Sequence, residues 1–162
     1  MRVAGSRVIV TGAAQGLGLA IATACSRAGA SVILADINAD ALSEAVGKLK
    51  AAGCAATGHI LDVTCREQIA EVRERILAEN GPIDILVNNA GVAFGGPFHT
   101  VPLDRHLATV NVNLAGVLAM THAFLPDLIS RPAGHIVNIA SAAAVVAMPL
   151  GTTYAATKWA VL

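Results

Sequence analysis

The sequence is poor in charge and in cysteine, and it has no long hydrophobic run. Its 162 residues include 11 Lys plus Arg and 11 Asp plus Glu, so the formal net charge is zero. A neutral chain with so few charges gives no sign of a basic surface for nucleic acid or of a strongly acidic one. We therefore expect no nucleic-acid partner.

The three cysteines and five histidines are scattered along the chain. Cys25, Cys54 and Cys65 form an odd set without close spacing, which argues against a disulfide framework or a zinc site. None of the histidines has a second ligand at a convincing spacing. We predict no metal site, and free thiols in a reducing compartment.

No segment reads as a membrane span or as a signal peptide. The longest small-apolar stretch, residues 140–150, is too short to cross a bilayer and contains Ser141 and Pro149. The first residues lead directly into a predicted strand, without the charged head, apolar middle and cleavage site of a signal peptide. We expect no membrane partner and, by default, a cytoplasmic location.

Short β-branched runs alternate with longer amphipathic stretches throughout the chain. Strands are predicted at 7–11, 31–36, 56–61, 83–87 and 134–140. Helices are predicted at 16–28, 39–51, 64–79, 102–130 and from about 152. The strands are apolar throughout, as expected when helices cover both faces of a sheet. The pattern predicts an α/β fold with a doubly wound parallel sheet, strand order 3-2-1-4-5, in one Rossmann-like domain over residues 1–162.

The first predicted strand leads into a glycine-rich turn, TGAAQGLG at Thr11–Gly18, which opens a helix. Glycines allow a tight turn and a close backbone approach to a pyrophosphate, and the helix N-terminus offers unpaired N–H groups. The candidate cofactor-binding residues in this turn are Gly12, Gln15, Gly16, Leu17 and Gly18. Alternatively, the glycines serve only the geometry of the turn.

The second and third predicted strands end in carboxylates. Asp36 could accept both ribose hydroxyls of NAD and would repel a 2′-phosphate, or it could cap the helix that follows. Asp62, with Val63 beside it, could meet an adenine ring, or it could cap the third helix. The fourth strand ends in Asn-Asn-Ala-Gly, which adds three candidates, Asn89, Ala90 and Gly91. Because parallel strands end at one edge of the sheet, we expect these groups to form one cofactor site.

Tyr154 and Lys158 are four residues apart, on one face of a predicted helix. A cation beside a phenol favours the phenolate, and a phenol with a lowered pKa is an acid/base for alcohol and ketone chemistry. Ser141 lies at the end of the fifth strand. Asn113 lies inside the long helix, where an Asn amide competes for backbone hydrogen bonds, so we predict an irregular or π-like turn there. The alternative is a solvent-facing Asn.

Together these residues resemble the single-domain subfamily of the short-chain dehydrogenases/reductases. The glycine turn at Thr11–Gly18 and the segment Asn88–Gly91 match two motifs of that family. The positions that match its catalytic tetrad are Asn113, Ser141, Tyr154 and Lys158. The resemblance covers residues 7–162 and implies an NAD(P)-dependent oxidoreductase that interconverts a secondary alcohol and a ketone by hydride transfer.

The resemblance also implies a role for each tetrad residue. Tyr154 would be the general acid/base, and Lys158 would lower its pKa and hold the nicotinamide ribose. Ser141 would hydrogen-bond the substrate oxygen. Asn113 would hold a water molecule that links Lys158 to solvent. Apart from the resemblance, four loop residues suggest one apolar wall, or simply pack under the loop: Val92, Phe94, Pro97 and Phe98.

A cofactor preference and an assembly follow from the same resemblance. Asp36, with the neutral Gln15, resembles members that prefer NAD, although NADP is not excluded. Members pair through the long helix and the Tyr/Lys helix, so a homodimer or homotetramer is expected for the full-length protein. They also continue beyond the Tyr/Lys helix, so we expect this chain to be part of a longer protein with strand five as an open edge. Two alternatives stay open: a remnant that binds NAD without turnover, and a non-enzymatic oligomerisation module.

Overall fold

A computed structural model describes residues 3–162 as a five-stranded parallel sheet with helices on both faces. The strands are β1 (Arg7–Thr11), β2 (Ser31–Asp36), β3 (Ala56–Ile60), β4 (Ile85–Asn88) and β5 (His135–Asn138). Their order is β3-β2-β1-β4-β5, and every neighbouring pair is parallel. The predicted fold class and strand order are therefore confirmed.

The helices also follow the predicted pattern. They are α1 (Gly16–Arg27), α2 (Ala39–Ala51), α3 (Arg66–Asn80), α4 (Leu103–Val110), α5 (Gly116–Ile129) and α6 (Thr152–Val161). A π-helical turn, Asn111–Ala115, joins α4 to α5 and confirms the irregularity predicted at Asn113. Helix α3 begins two residues later than predicted because the amide and hydroxyl of Thr64 both bond to Asp62, which holds a turn before the helix.

Two hydrophobic cores lie on the two faces of the sheet. Along β1, Val8 and Val10 face the core under α1 and α2, while Ile9 faces the core under α3 and α5. All three side chains are fully buried. Alternate residues of a strand point to opposite faces, so burial on both faces explains why the central strands are apolar throughout.

The edges of the sheet are β3 and β5. On β5, Ile136 is 39% exposed and Asn138 is also exposed, in contrast to the buried central strands. Strand β5 nevertheless carries the turn that leads to Ser141. The part of the sheet that presents the candidate catalytic residues is thus its less buried part.

The helical stretch Leu103–Ile129 is long and apolar enough to cross a membrane by length and composition alone, with a mean hydropathy of 1.4. Its inner side packs into the core through Met120, Phe124 and Leu128, together with side chains of α3 and β4. That is the position of a core helix beside a sheet.

Candidate active site

The glycine turn after β1 leaves no room for side chains at two positions. Gly12 has φ +63°, and a Cβ there would lie 2.9 Å from Ala90 Cα. A Cβ on Gly18 would collide with the carbonyl oxygen of Gly12 and lie 2.5 Å from Asn89 Nδ2. The backbones of the β1 turn, the first turn of α1 and the β4 turn therefore meet in direct contact.

Side-chain hydrogen bonds lock the β4 turn onto the end of β1. Thr11 Oγ1 accepts from the amides of Asn89 and Ala90, each at 3.0 Å. Asn89 Nδ2 donates in return to the carbonyl oxygens of Thr11, at 2.9 Å, and of Gly12, at 3.1 Å. The two motifs recognised in the sequence thus form one unit in space.

Asp36, at the end of β2, accepts a hydrogen bond from the glycine turn and stabilises it. Its Oδ2 accepts from the amide of Ala14 at 2.9 Å, and its Oδ1 accepts from the amide of Asn38 at 3.0 Å. The cap of α2 is Asn38, whose side chain accepts from the amide of Ala41. A carboxylate offers about four acceptor positions, so Asp36 keeps capacity for further donors.

Asp62 makes a local turn after β3. Its Oδ1 accepts from the amide and the hydroxyl of Thr64, at 2.9 and 2.8 Å. The N-cap residue of α3 is Cys65, not Asp62. The capping alternative for Asp62 is therefore not what the structure shows.

These turns enclose a cleft of about 670 Å³ at the carboxyl edge of the sheet. Of the cofactor-binding candidates in the turns, all but Gly16 line it, namely Gly12, Gln15, Leu17, Gly18, Asp36, Asp62, Val63, Asn89, Ala90 and Gly91. Among the described residues that line this cleft, none is Lys or Arg. The side of the cleft near Asp36 is therefore neutral to negative.

Val92, predicted as part of an apolar wall, also lines the cleft. Six further lining residues were missed by sequence reasoning, namely Ile37, Leu61, Thr64, Ala108, Asn111 and Val112. Ile37 directly follows Asp36 at the end of a strand, and this position could have predicted that it lines the cleft. Ala108, Asn111 and Val112 lie on the long helix around the π turn, and their approach to the cleft depends on how that helix crosses the sheet.

Asn113 lies in the π turn and is 1% exposed. Its Oδ1 accepts from the amide of Val92 at 2.8 Å, and its Nδ2 donates to the carbonyl oxygen of Val92 at 2.9 Å. The Nδ2 also lies 3.2 Å from Thr157 Oγ1 on α6. The side chain is thus not solvent-facing, and it joins the loop after β4 to the helix of Tyr154 and Lys158.

Lys158 is almost completely buried, at 6% exposure. Its Nζ donates to the carbonyl oxygen of Ile139, at 2.6 Å, and lies 5.9 Å from the centroid of the Tyr154 ring. Burial lowers the pKa of the Lys158 amine, because the charged form loses hydration. The Tyr-x-x-x-Lys spacing predicted that the two side chains share one helix face, and the Lys158 amine does lie beside the Tyr154 ring.

Ser141 and Tyr154 complete the group and are both partly exposed. Ser141 directly precedes a short 3₁₀ turn, Ala142–Ala144, and its Oγ accepts from the amide of Ala143 at 3.2 Å. Tyr154 lies in the first turn of α6, where its carbonyl oxygen accepts from the hydroxyl of Thr157 at 2.8 Å.

The cleft and the tetrad meet at Gly91. A Cβ on Gly91 would lie 3.3 Å from Asn113 Oδ1 and 3.7 Å from Lys158 Nζ. Gly91 itself lines the cleft. The structure therefore brings the cofactor candidates and the tetrad lysine to one place.

A second, larger groove of about 710 Å³ lies between α3 and α5. It is lined by apolar residues such as Ile69 and Leu118, with Arg66 and Arg73 beside them. None of the predicted site residues lines this groove, so its larger size does not make it a rival to the cleft at the carboxyl edge.

A cleft at the carboxyl edge of a doubly wound parallel sheet, beside a buried Lys four residues after a Tyr, is typical of Rossmann-type dinucleotide-binding domains. The profile of the family described as short chain dehydrogenase matches residues 6–162. The chain therefore belongs to the short-chain dehydrogenase/reductase family, which confirms the resemblance inferred from its motifs.

Two curated relatives illustrate the similarity. The chain is 36% identical over 162 residues to the 3-oxoacyl-acyl-carrier-protein reductase FabG of Thermotoga maritima, covering 100% of this chain and 66% of that protein. It is 36% identical over 158 residues to the 5-keto-D-gluconate 5-reductase of Escherichia coli, covering 98% of this chain and 62% of that protein. The chain thus spans somewhat less than two thirds of the length of both relatives.

Solved structures agree with the fold. A short chain dehydrogenase/reductase from Burkholderia phymatum in complex with NAD superposes with a TM-score of 0.95 at 33% identity, covering 99% of this chain and 58% of that one. A gluconate 5-dehydrogenase from Burkholderia cenocepacia in complex with NADP and tartrate superposes with a TM-score of 0.92 at 34% identity, covering 99% and 64%.

Proposed function

We propose that the protein is an NAD(P)-dependent oxidoreductase that interconverts a secondary alcohol and a ketone. The observation that carries the proposal is the meeting of cleft and tetrad at Gly91, beside Asn113 and Lys158. Relatives named as reductases and solved relatives in complex with NAD or NADP support it. The proposal concerns the whole protein, since this chain spans only 66% of the FabG relative.

The residues present fit a nicotinamide dinucleotide. Gly12 and Gly18 let the turns that line the cleft pack directly against each other, because a Cβ at either position would collide with Ala90, Asn89 or the Gly12 carbonyl. The start of α1 lines the same cleft and offers N–H groups to a pyrophosphate. Asp36 would accept ribose hydroxyls, and Asp62 and Val63 would flank the adenine end.

Asp36 also supports a preference for NAD over NADP. Its carboxylate would face a 2′-phosphate at short range, and like charges repel. No described Lys or Arg lines the cleft to offset that repulsion. Both NAD and NADP occur in solved relatives, so the preference is a property to be measured on this chain.

The tetrad residues divide the proton chemistry among them. When bound, the nicotinamide would give or take the hydride at the carbinol carbon. Tyr154 transfers the hydroxyl proton as general acid/base, and Ser141 donates a hydrogen bond to the substrate oxygen. Lys158 would hold the nicotinamide ribose. Asn113 holds the loop after β4 against α6, and a water molecule near the π turn would connect Lys158 to solvent.

Exposed apolar side chains on the long helix support a homo-oligomer. Leu107, Leu118 and Ile129 are 50%, 63% and 73% exposed. Burial of such surface is the main driving force of association. Light scattering after size exclusion would report a dimer or tetramer.

The function is tested with Tyr154→Phe. We expect the protein to oxidise NADH in the presence of at least one of three ketones: cyclohexanone, acetophenone or ethyl acetoacetate. Removing the phenol hydroxyl should reduce this rate by at least about 100-fold, the scale of general acid/base catalysis. The dissociation constant for NADH, from a fluorescence titration, should stay within about twofold.

Two results would contradict the proposal. Retained turnover in Tyr154→Phe would remove the assigned role of the phenol. Binding of NADH by wild type without turnover of any ketone would favour a nucleotide-binding protein that has no oxidoreductase activity.

A further inference from the structure

The long helix holds both ends of the loop after β4. Asn113 bonds to the backbone of Val92 at the start of that loop. At its far end, His106 Nε2 lies 3.1 Å from the carbonyl oxygen of Phe98, and the two rings stack with centroids 4.4 Å apart. His106 and Asn113 are seven residues apart, about two helical turns, so they lie on one face of the helix.

The same two residues also reach α6, one turn apart. His106 Nδ1 lies 2.6 Å from Thr153 Oγ1, and Asn113 Nδ2 lies 3.2 Å from Thr157 Oγ1. Thr153 and Thr157 directly precede Tyr154 and Lys158. Each contact therefore fixes the backbone next to one of the two proposed catalytic residues on α6.

The hydrogen-bond directions around His106 follow from its partners. The carbonyl oxygen of Phe98 can only accept, so Nε2 must carry the proton. In a neutral ring, Nδ1 then accepts from the hydroxyl of Thr153. One imidazole thus binds the loop with one nitrogen and α6 with the other.

Packing alone does little to hold the loop end. Residues 97–100 are all exposed, and the Phe98 side chain is 60% exposed. One backbone bond, from the amide of Gly96 to the carbonyl oxygen of Leu150 at 2.9 Å, also joins the loop to the turn before α6. Leu150 has φ 63°, which is strained for a residue with a side chain and persists only where neighbouring contacts fix it.

We propose that His106 is a positioning residue, which holds the loop of Phe98 and the first turn of α6 against each other and so sets the place of Tyr154. Its effect on rate rests on the proposed function, whereas its effect on loop order does not. His106 holds the far end of the loop by bonding to Phe98, as Asn113 holds its start by bonding to Val92.

Three variants and one control test the proposal. His106→Phe keeps an aromatic ring against Phe98 and removes both hydrogen bonds. Thr153→Val removes the hydroxyl partner. His106→Gln restores one amide donor and one acceptor. His99→Phe, an exposed residue of the same loop, makes the same chemical change away from the contact.

Amide hydrogen exchange with NADH present measures loop order. We expect amide exchange at residues 94–96, at Phe98 and at residues 151–154 to be at least about fivefold faster in His106→Phe and Thr153→Val. His99→Phe should match wild type, and His106→Gln should fall between. Unchanged exchange in His106→Phe would overturn the proposal.

Turnover of the fastest of the three ketones measures the position of Tyr154. Since misplacement by about 1 Å can cost 100-fold in rate, we expect kcat about tenfold lower in His106→Phe, with the KM for NADH within twofold. His106→Gln should recover part of kcat, and the double variant with Thr153→Val should be no slower than either single one.

The outcomes separate the two proposals. Wild-type kcat in His106→Phe, or an equal loss of kcat and NADH affinity without recovery in His106→Gln, would overturn the positioning role. If wild type reduced no ketone while loop exchange still responded to His106→Phe, the oxidoreductase function would fail and the contact would be supported.

Discussion

The cofactor side and the catalytic side of the sheet edge are held in place by different means. On the cofactor side, β1 and β2 are central strands with fully buried side chains such as Ile9, and glycine backbones touch directly. On the catalytic side, β5 is an edge strand, and Val145 and Val146 after Ser141 are both 65% exposed. Burial and direct backbone contact, added to the hydrogen bonds of Thr11 and Asp36, position the first side. The second side, next to an edge strand, depends mainly on side-chain hydrogen bonds such as those of Asn113 and Thr157.

This difference predicts how each side responds to change. Substitutions in the buried, backbone-built side should damage binding and stability together. Substitutions in the hydrogen-bonded side should lower kcat more than they lower the free energy of unfolding. Three variants probe the contrast and a fourth probes the edge strand β3, in order from the largest expected effect to the smallest.

Gly18→Ala should be the most damaging change. Its Cβ would meet Gly12 O and Asn89 Nδ2, both of which are fixed by the strands behind them. We expect NADH affinity to fall at least 100-fold and the free energy of unfolding to fall by about 1–3 kcal/mol, the usual scale of overpacking. Fluorescence titration and urea unfolding measure the two effects.

Gly47→Ala is the matched control. Gly47 lies exposed in α2, where an added Cβ would point into open space. Alanine in a helix interior should add about 0.5–1 kcal/mol of stability and leave NADH binding unchanged. Near-normal NADH binding by Gly18→Ala would show that burial does not control the cofactor side.

Asp36→Ala should act on cofactor choice. The change removes the brace on the Ala14 amide and the acceptor proposed for ribose hydroxyls. We expect NAD to bind about tenfold more weakly, the scale of one or two lost charge-assisted hydrogen bonds, and the gap between NAD and NADP to narrow. Asp40→Ala, an exposed carboxylate in the first turn of α2, should change neither constant. If the ratio of the NAD and NADP dissociation constants were unchanged in Asp36→Ala, Asp36 would not set the choice of cofactor.

Thr157→Val should separate rate from fold on the catalytic side. The hydroxyl of Thr157 donates to the carbonyl oxygen of Tyr154 and accepts from Asn113 Nδ2. Its loss should cost about 1 kcal/mol of stability and several-fold in kcat, with NADH affinity unchanged. Thr157→Ser, which keeps the hydroxyl, should behave like wild type in rate. If Val and Ser variants had equal kcat, the hydrogen bonds would not position this side.

The smallest expected effect is on the pH dependence of stability and involves His59 in the edge strand β3. Burial lowers the pKa of His59, Arg75 lowers it further, and Glu79 opposes both. The unfolded chain therefore binds a proton before the folded one as pH falls, so stability is full above about 6.5 and decreases below it. His59→Gln should flatten the dependence of unfolding free energy between pH 7 and 5, whereas His99→Gln should keep it. If the unfolding free energy of His59→Gln depended on pH as steeply as that of wild type, His59 would not be the group responsible.

Much of this architecture was predictable from local patterns. The π turn at Asn113 and the turns at Gly12, Asp36 and Gly91 follow from signals within a few residues of each other. The strand order follows from the alternation of strands and helices along the whole chain. Positions that require glycine, interruptions of a helix and the ends of strands are all local properties of the backbone. Gly16 was predicted to contact the cofactor, yet it does not line the cleft, and its φ of +57° fits the turn-geometry alternative.

The sequence by itself determined the class of fold and the carboxyl-edge location of the cleft, because hydrophobic period and turn chemistry are local. The tetrad was inferred from a family resemblance and stays a prediction. Only the tertiary structure decided which residues of the long helix face α6. The pairs His106–Thr153 and Asn113–Thr157 are 47 and 44 residues apart in the chain. Their contact depends on how two helices cross beside the sheet, and no short pattern encodes that geometry.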